Sequence, residues 1–168
     1  MNNEEKNSYV KKQITDTTIE LLKQHEFSNI SISQITSSSQ VSRNSFYRNY
    51  TDKEDILFKH IRQLVTSWNA EYQKQNKDSN AELYGSLFTH LKENSEFYLL
   101  LKKRNLFHLF LKVLIEQSGP KPEYDNMAAY VTSFITYGTY GWIEEWIGRG
   151  MQESAETMST LLSSHGMK

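Results

Sequence analysis

Residues 27–51 contain Arg43, Arg48, eight serines, three asparagines and two glutamines, and neither Asp nor Glu. A phosphate backbone repels carboxylates and accepts hydrogen bonds from each of these side-chain types. Arginine pairs with the O6 and N7 of guanine, asparagine with the N6 and N7 of adenine, and serine with either kind of base edge. Ser42, Arg43, Asn44 and Ser45 therefore carry the chemistry to read bases. Tyr47, Arg48 and Lys53 carry the chemistry to hold phosphates. By composition alone the same stretch also describes a serine-rich surface loop, so the surrounding elements must discriminate between the two.

Groups that read a duplex need a rigid mount. Ser31-x-x-Gln34 fits a capping box, in which the serine oxygen takes the Gln34 N–H and the glutamine reaches back. It starts a short helix with Ile32 and Ile35 facing inward. Ser37-Ser38-Ser39 ends that helix, because serine side chains compete for backbone hydrogen bonds. Ser42 is a good N-cap for a second short helix carrying Phe46, Tyr47 and Tyr50, of which Phe46 and Tyr50 read as core. Short helix, tight turn and short helix make the shape of a helix-turn-helix, whose second helix enters the major groove with its N-terminal end toward the bases.

The flanking segments are helical as well. Val10, Ile14, Ile19, Leu21 and Leu22 predict a helix from Tyr9 to about His25, with residues 1–7 frayed. Thr51-x-x-Glu54 reads as a second capping box. It opens a helix through Ile56, Leu57, Ile61, Leu64, Val65, Trp68 and Tyr72, and Glu54 and Asp55 suit its positive end. The polar residues 73–80 read as the best internal boundary. Beyond them Leu83, Leu87, Phe88 and Leu91 mark one helix, and residues 95–117 two more, broken near Arg104-Asn105. Residues 118–125, with Gly119 and both prolines, form the clearest breaker. Met127 to Arg149 reads as one long helix and Ser154 to Ser164 as a last one. The fold class is all-α, with about nine helices.

Whole-chain properties narrow the function. The 168 residues are 38% apolar and 12% aromatic, enough for a real core, and only 2 prolines and 7 glycines interrupt them. Net charge is −1 and the pI about 6.5, so a case for nucleic acid has to rest on a local patch. The absence of cysteine excludes disulfides, thiolate metal sites and cysteine nucleophiles. Neither His90 nor His108 has a His, Asp or Glu at the i, i+4 spacing, so no metal and no cofactor is called for. No apolar run approaches the roughly 18 residues of a membrane span, and the first residues lack the apolar core of a signal peptide. A soluble cytoplasmic protein with no membrane partner is expected. No nucleophile–base pair, glycine-rich phosphate loop or apolar carboxylate pair supports an enzyme.

The spacing of these residues resembles the N-terminal domain of the TetR family of bacterial transcriptional regulators. The matching positions are Ser31-Ile32-Ser33-Gln34-Ile35, Ser39-Gln40-Val41-Ser42, Phe46-Tyr47, Tyr50 and Lys53-Glu54-Asp55-Ile56-Leu57, and the match runs over residues 9–60. The resemblance implies that Tyr47 and Lys53 bind phosphate and that residues 42–49 read bases. The DNA-binding set is then Ser31, Ser33, Ser42, Arg43, Asn44, Ser45, Tyr47, Arg48, Asn49 and Lys53. The usual turn glycine is Gln40 here, and the usual small residue at position 44 is Asn44. The implied organisation is a DNA-binding domain over 1–54, with its helix-turn-helix at about 31–50, a connecting helix over 55–75, and a regulatory and dimerisation domain over 76–168.

The remaining helices bear on the second half of that expectation. Residues 130–150 are apolar nearly all round, so this helix must be covered on more than one face. Gly138 and Gly141 lower the bulk on one side and admit a close neighbour, either within the chain or from a second copy. With the resemblance, Tyr130, Phe134, Gly138, Gly141, Trp142, Met158 and Leu161 become a homodimer seam. Trp68, Tyr72, Phe88, Phe107, His108, Phe110, Phe134 and Tyr137 become candidates for a pocket for a small hydrophobic or cationic effector, or simply core. The expected function is a dimeric regulator of a palindromic operator in double-stranded DNA, a repressor released by that effector. The alternatives are control by a protein partner without a pocket, or activation.

Overall fold

A computed structural model describes residues 2–75 and 79–165. Nine α-helices occur among them: α1 Asn3–Gln24, α2 Ile32–Ser38, α3 Arg43–Asn49, α4 Lys53–Gln73, α5 Asn80–Glu93, α6 Ser95–Lys103, α7 His108–Ser118, α8 Asn126–Gly148 and α9 Ala155–His165. A single 3-10 turn, Phe27–Asn29, precedes α2. The described residues divide into two compact units, one ending at Ile61 and the other beginning at Arg62. The division falls inside α4 rather than in the polar stretch 73–80, of which residues 76–78 lie outside the described residues.

In the first unit α1, α2 and α3 pack on one another around Ile14, Leu22, Ile30, Ile35 and Phe46, joined by Tyr50, Ile56, Leu57 and Ile61. Two boundaries differ from the sequence expectation. The first helix starts at Asn3, not Tyr9, because Asn2 and Glu5 form a reciprocal capping box that holds the polar first turn. At the start of α4 the pairing is shifted by one residue from Thr51/Glu54. The Asp55 N–H donates to Asp52 Oδ1 at 2.8 Å, and the Thr51 N–H donates to Asp55 Oδ2 at 3.0 Å. An aspartate one position later competes better for the cap than the threonine does, since its oxygen carries charge.

In the second unit α5 packs on α9 and α6, and α8 on α6 and α7. Its centre is aromatic. Phe107 stacks on Phe110 at 5.3 Å and on Tyr140 at 5.7 Å, while Tyr98 meets both phenylalanines edge-on. The break between α6 and α7 is closed by Asn105 at φ 57°, as its asparagine allows. Helix α8 buries only one stripe, Thr136, Thr139, Ile143, Trp146 and Ile147. No helix among the described residues is long and apolar enough to cross a membrane, and none of their His, Asp and Glu side chains cluster as a metal site.

Candidate nucleic-acid interface

The turn between α2 and α3 sets the geometry of the candidate site. Helix α2 stops through two backbone bonds, Gln40 N–H to the Ser37 carbonyl at 3.2 Å and Val41 N–H to the Thr36 carbonyl at 3.0 Å. This pattern requires a left-handed residue between them, and Gln40 supplies it at φ 55°. A side chain in that conformation costs roughly 1 kcal/mol that glycine would not. Ser39, buried, donates to the Ile35 carbonyl at 2.7 Å and fixes the same end. Ser31 caps α2 by accepting the Gln34 N–H at 3.1 Å, and Ser42 caps α3 by accepting the Ser45 N–H at 3.1 Å.

With those caps in place, α3 turns Phe46 fully inward, and Tyr50, just after it, is buried too. Phe46 contacts both Tyr47 and Tyr50 with ring centroids 5.2 and 5.8 Å away. The Tyr50 hydroxyl lies 3.3 Å from Thr15 of α1, which docks the first helix on the third. Burial pushes the Tyr50 hydroxyl up, and the Thr15 bond only partly offsets this, so it stays protonated. The opposite side of α3 is solvent-facing: Arg43, Asn44, Tyr47 and Arg48 are all exposed, Tyr47 at 58%. Ser31, Ser33 and Ser42 are exposed beside them.

The candidate residues differ in how free their polar groups are. Ser42 spends its hydroxyl on Ser45, donating to Ser45 Oγ at 3.0 Å while accepting that residue's N–H. Half-buried Asn49 donates to the Ser45 carbonyl at 2.9 Å, so its amide is turned back on its own helix. Arg43 donates from Nη2 to Ser33 Oγ. Asn44, Tyr47 and Arg48 form the outward set.

Lys53 departs most from its expected role. Its ammonium donates to the carbonyls of Phe27 at 2.5 Å, Ile30 at 2.8 Å and, more weakly, Ser28 at 3.4 Å, and it sits 4.4 Å above the Phe27 ring. These bonds turn the ammonium toward the backbone of its own head, where the Phe27 carbonyl also accepts the Ile30 N–H at 3.2 Å. Lys53→Met, which keeps the stem, is expected to destabilise the first unit by about 1–3 kcal/mol, because the part-buried Ile30 carbonyl loses its ammonium partner. The slope of log affinity for DNA against log salt should stay unchanged. A slope flatter by about 0.9 per subunit would return Lys53 to the phosphate backbone.

A second lysine, not singled out from sequence, serves the other end of the site. Lys59 Nζ donates to the carbonyl of Asn49, the last residue of α3, at 2.8 Å and to Asp55 Oδ2 at 2.8 Å. Burial works to raise the Asp55 carboxyl, but the bonds from Lys59 and from the Thr51 N–H outweigh it and hold the group below its usual range. That contribution is present above the unfolded carboxyl value and is lost as pH falls through the lowered one. The i, i+4 spacing of Asp55 and Lys59 was the available sequence signal.

The structure does not bring the eight expected pocket residues together. Tyr72, Phe88, Phe107 and Phe110 are core; Trp68 is half-buried, stacked on Tyr72 and donating to Ser86 Oγ at 2.9 Å. His108, Phe134 and Tyr137 are exposed, the last two on the outer side of α8. His90 and Tyr98, absent from the expected set, join the aromatic cluster, with 3.3 Å between His90 Nε2 and the Tyr98 hydroxyl. Burial lowers the His90 imidazole, with Glu93 opposing, which favours the neutral form.

The expected seam residues divide in a similar way. Tyr130 and Phe134 are 66% and 71% exposed, and a Cβ added at Gly138 or Gly141 would meet nothing within 4 Å. Trp142 is half-buried and Leu161 exposed. Met158 is instead core of its own chain, since the α9 face that meets α5 carries it. Met127, Val131 and Ile135 extend the exposed stripe. Met127 and Val131 lie three residues back from Tyr130 and Phe134, and Ile135 four beyond Val131, the helical spacing that could have found them.

Comparison with known proteins adds an independent line. Residues 14–59 match the family described as bacterial regulatory proteins, tetR family, and residues 78–165 match a transcriptional regulator C-terminal region, a match that alone spans more than half of the chain. Among solved structures, a TetR transcriptional regulator from Streptococcus agalactiae is similar with a TM-score of 0.65 over 98% of this chain and 97% of that one, at 15% identity. The dihydroxyacetone kinase operon activator DhaS is similar with a TM-score of 0.54 over 92% of each chain, at 20% identity. Likeness at such identities is one of fold. No curated protein matches the chain. With both halves of the sequence matched and the all-helical fold shared, the protein belongs to the TetR family of bacterial transcriptional regulators, with a DNA-binding helix-turn-helix.

Proposed function

We propose that the protein is a homodimeric repressor that binds a palindromic operator and is released from it by a small molecule. TetR-family proteins are regulators rather than enzymes, and the finer reading rests chiefly on one observation. The outward side of α3 presents Arg43, Asn44, Tyr47 and Arg48 from a segment free of carboxylates, in a chain whose net charge is −1. Arg43 and Asn44 read bases; Tyr47, Arg48 and the exposed Ser31 face the backbone. In this reading residues 1–54 bind DNA, 55–75 connect, and 76–168 regulate and dimerise.

Dimerisation is supported by the uncovered apolar stripe of α8, where Met127, Tyr130, Val131, Phe134 and Tyr137 face outward beside two glycines with open space around them. A contiguous apolar face of that kind marks an interaction site. The effector would meet the aromatic cluster where a member is only half-buried, at Trp68 or at Tyr140. Release would follow from linkage, the effector favouring a dimer whose reading helices mismatch the two half-sites. A second reading is activation or control through a protein partner. It is favoured by the tight stacking among Phe107, Phe110 and Tyr140, and one protein of similar fold carries the name of an operon activator.

Selection of the operator from a pool of random duplexes, followed by titration, tests the main reading; an inverted repeat bound by two subunits is expected. Asn44→Ala should lose about 1–3 kcal/mol on that operator and much less on a random duplex. Equal losses on both would mean that Asn44 reads no base. A reporter driven from the operator should rise when the gene is deleted; a fall would favour activation.

A further inference from the structure

We propose that Ser33 is a positioning residue for base reading: its hydroxyl orients the Arg43 guanidinium, and it acts on the DNA through that arginine rather than by a contact of its own. The inference rests on the reading above, in which Arg43 contacts a base. Ser33 is the second residue of α2 and Arg43 the first of α3, and α3 packs on α2 after the left-handed Gln40 turn. There Arg43 Nη2 donates to Ser33 Oγ, and both residues are solvent-exposed on the same surface.

The chemistry of the partner matters. An exposed arginine loses considerable rotamer freedom when it is fixed on a base, and an orienting bond made beforehand lowers that loss. A carboxylate would also orient the guanidinium, but it would neutralise the charge and repel the phosphates. A neutral hydroxyl orients it at full charge, and the fork keeps its other N–H donors for the two acceptors of guanine. Residues 27–51 offer no carboxylate at all, so any orienting oxygen from this segment is neutral. Ser33 is itself held on α2, where its carbonyl accepts from Thr36 Oγ1 at 3.1 Å.

The test uses the full-length protein, the operator obtained by selection with the wild type, and a random duplex of equal length. Ser33→Ala is expected to weaken operator binding roughly two- to tenfold, the scale of one ordinary net hydrogen bond at an exposed site. It should also relax the base preference at the one position that Arg43→Ala relaxes. Binding to the random duplex and the melting temperature should not change, and Ser33→Thr should restore the preference. On an Arg43→Ala background, Ser33→Ala should have no further effect. Independent losses in the double variant, or an equal loss on random duplex, would overturn the proposal and make Ser33 a direct backbone contact. If Arg43→Ala keeps the operator preference intact, the base-reading role of Arg43 fails, and the inference with it. If Arg43→Ala loses the preference and Ser33→Ala keeps it, only the inference fails.

Discussion

Gly138→Leu and Gly141→Leu are expected to produce a well-folded monomer whose operator affinity is lower by two to four orders of magnitude. Within one chain neither position is crowded, since an added Cβ meets nothing within 4 Å at either. Removing a glycine from a helix interior stabilises that helix by roughly 1 kcal/mol. An isolated subunit should therefore melt no lower than the wild type. A seam packed on these glycines has no room for a leucine, and overpacking forces the two helices apart. Once the dimer is lost, the second DNA-binding head no longer benefits from the high effective concentration that the first provides, which accounts for the expected drop of about 10²–10⁴. Sedimentation velocity and operator titration on the same preparations check both halves. Dimers of normal affinity from both variants would show that the glycines face something other than a second subunit.

Phe46→Ala should unfold the DNA-binding head while leaving the second unit intact. Phe46 is fully buried at the centre of the first unit and contacts Tyr47 and Tyr50. Truncating a buried phenylalanine costs about 3–5 kcal/mol. A unit of about 60 residues holds only roughly 3–9 kcal/mol in total, so the loss takes most of its stability. Circular dichroism should show part of the helical signal lost at room temperature, with a separate cooperative melt remaining, and operator binding should be abolished. Phe46→Leu, which keeps most of the volume, should retain binding at lower temperature. A wild-type melt for Phe46→Ala would remove Phe46 from the centre of the head.

The parts of this fold that were legible in sequence are those written in neighbouring residues. Ser31 and Ser42 announce their helices because a capping bond spans three residues, and the α6–α7 break is announced by Asn105, one of the few side chains at ease at φ 57°. The Asn2/Glu5 box has the same grammar and was obscured by the polar composition around it. Legibility fails where a role depends on what the chain brings close from elsewhere. The carbonyls bound by Lys53 lie 23 to 26 residues away, so no local pattern assigns its ammonium to them. Apolar spacing has the same blind spot in the body, because it separates a helix's apolar side from its polar side but cannot say what covers it. Phe110 and Phe134 look alike in sequence; one is fully buried and the other 71% exposed.

The way α2 ends has a consequence for the order in which the head assembles. Its stop and the reversal into α3 are closed by bonds between residues three and five apart, Gln40 to Ser37 and Val41 to Thr36. Helix growth and closure of so short a loop take well under a microsecond to a few microseconds, and neither waits for the rest of the chain. The bond that ties α1 to the end of α3, between Thr15 and Tyr50, joins residues 35 apart and must follow a slower search. The reading helix is thus shaped early and docked late, and damage to the α1 contact would slow the completion of the head more than the formation of its turn.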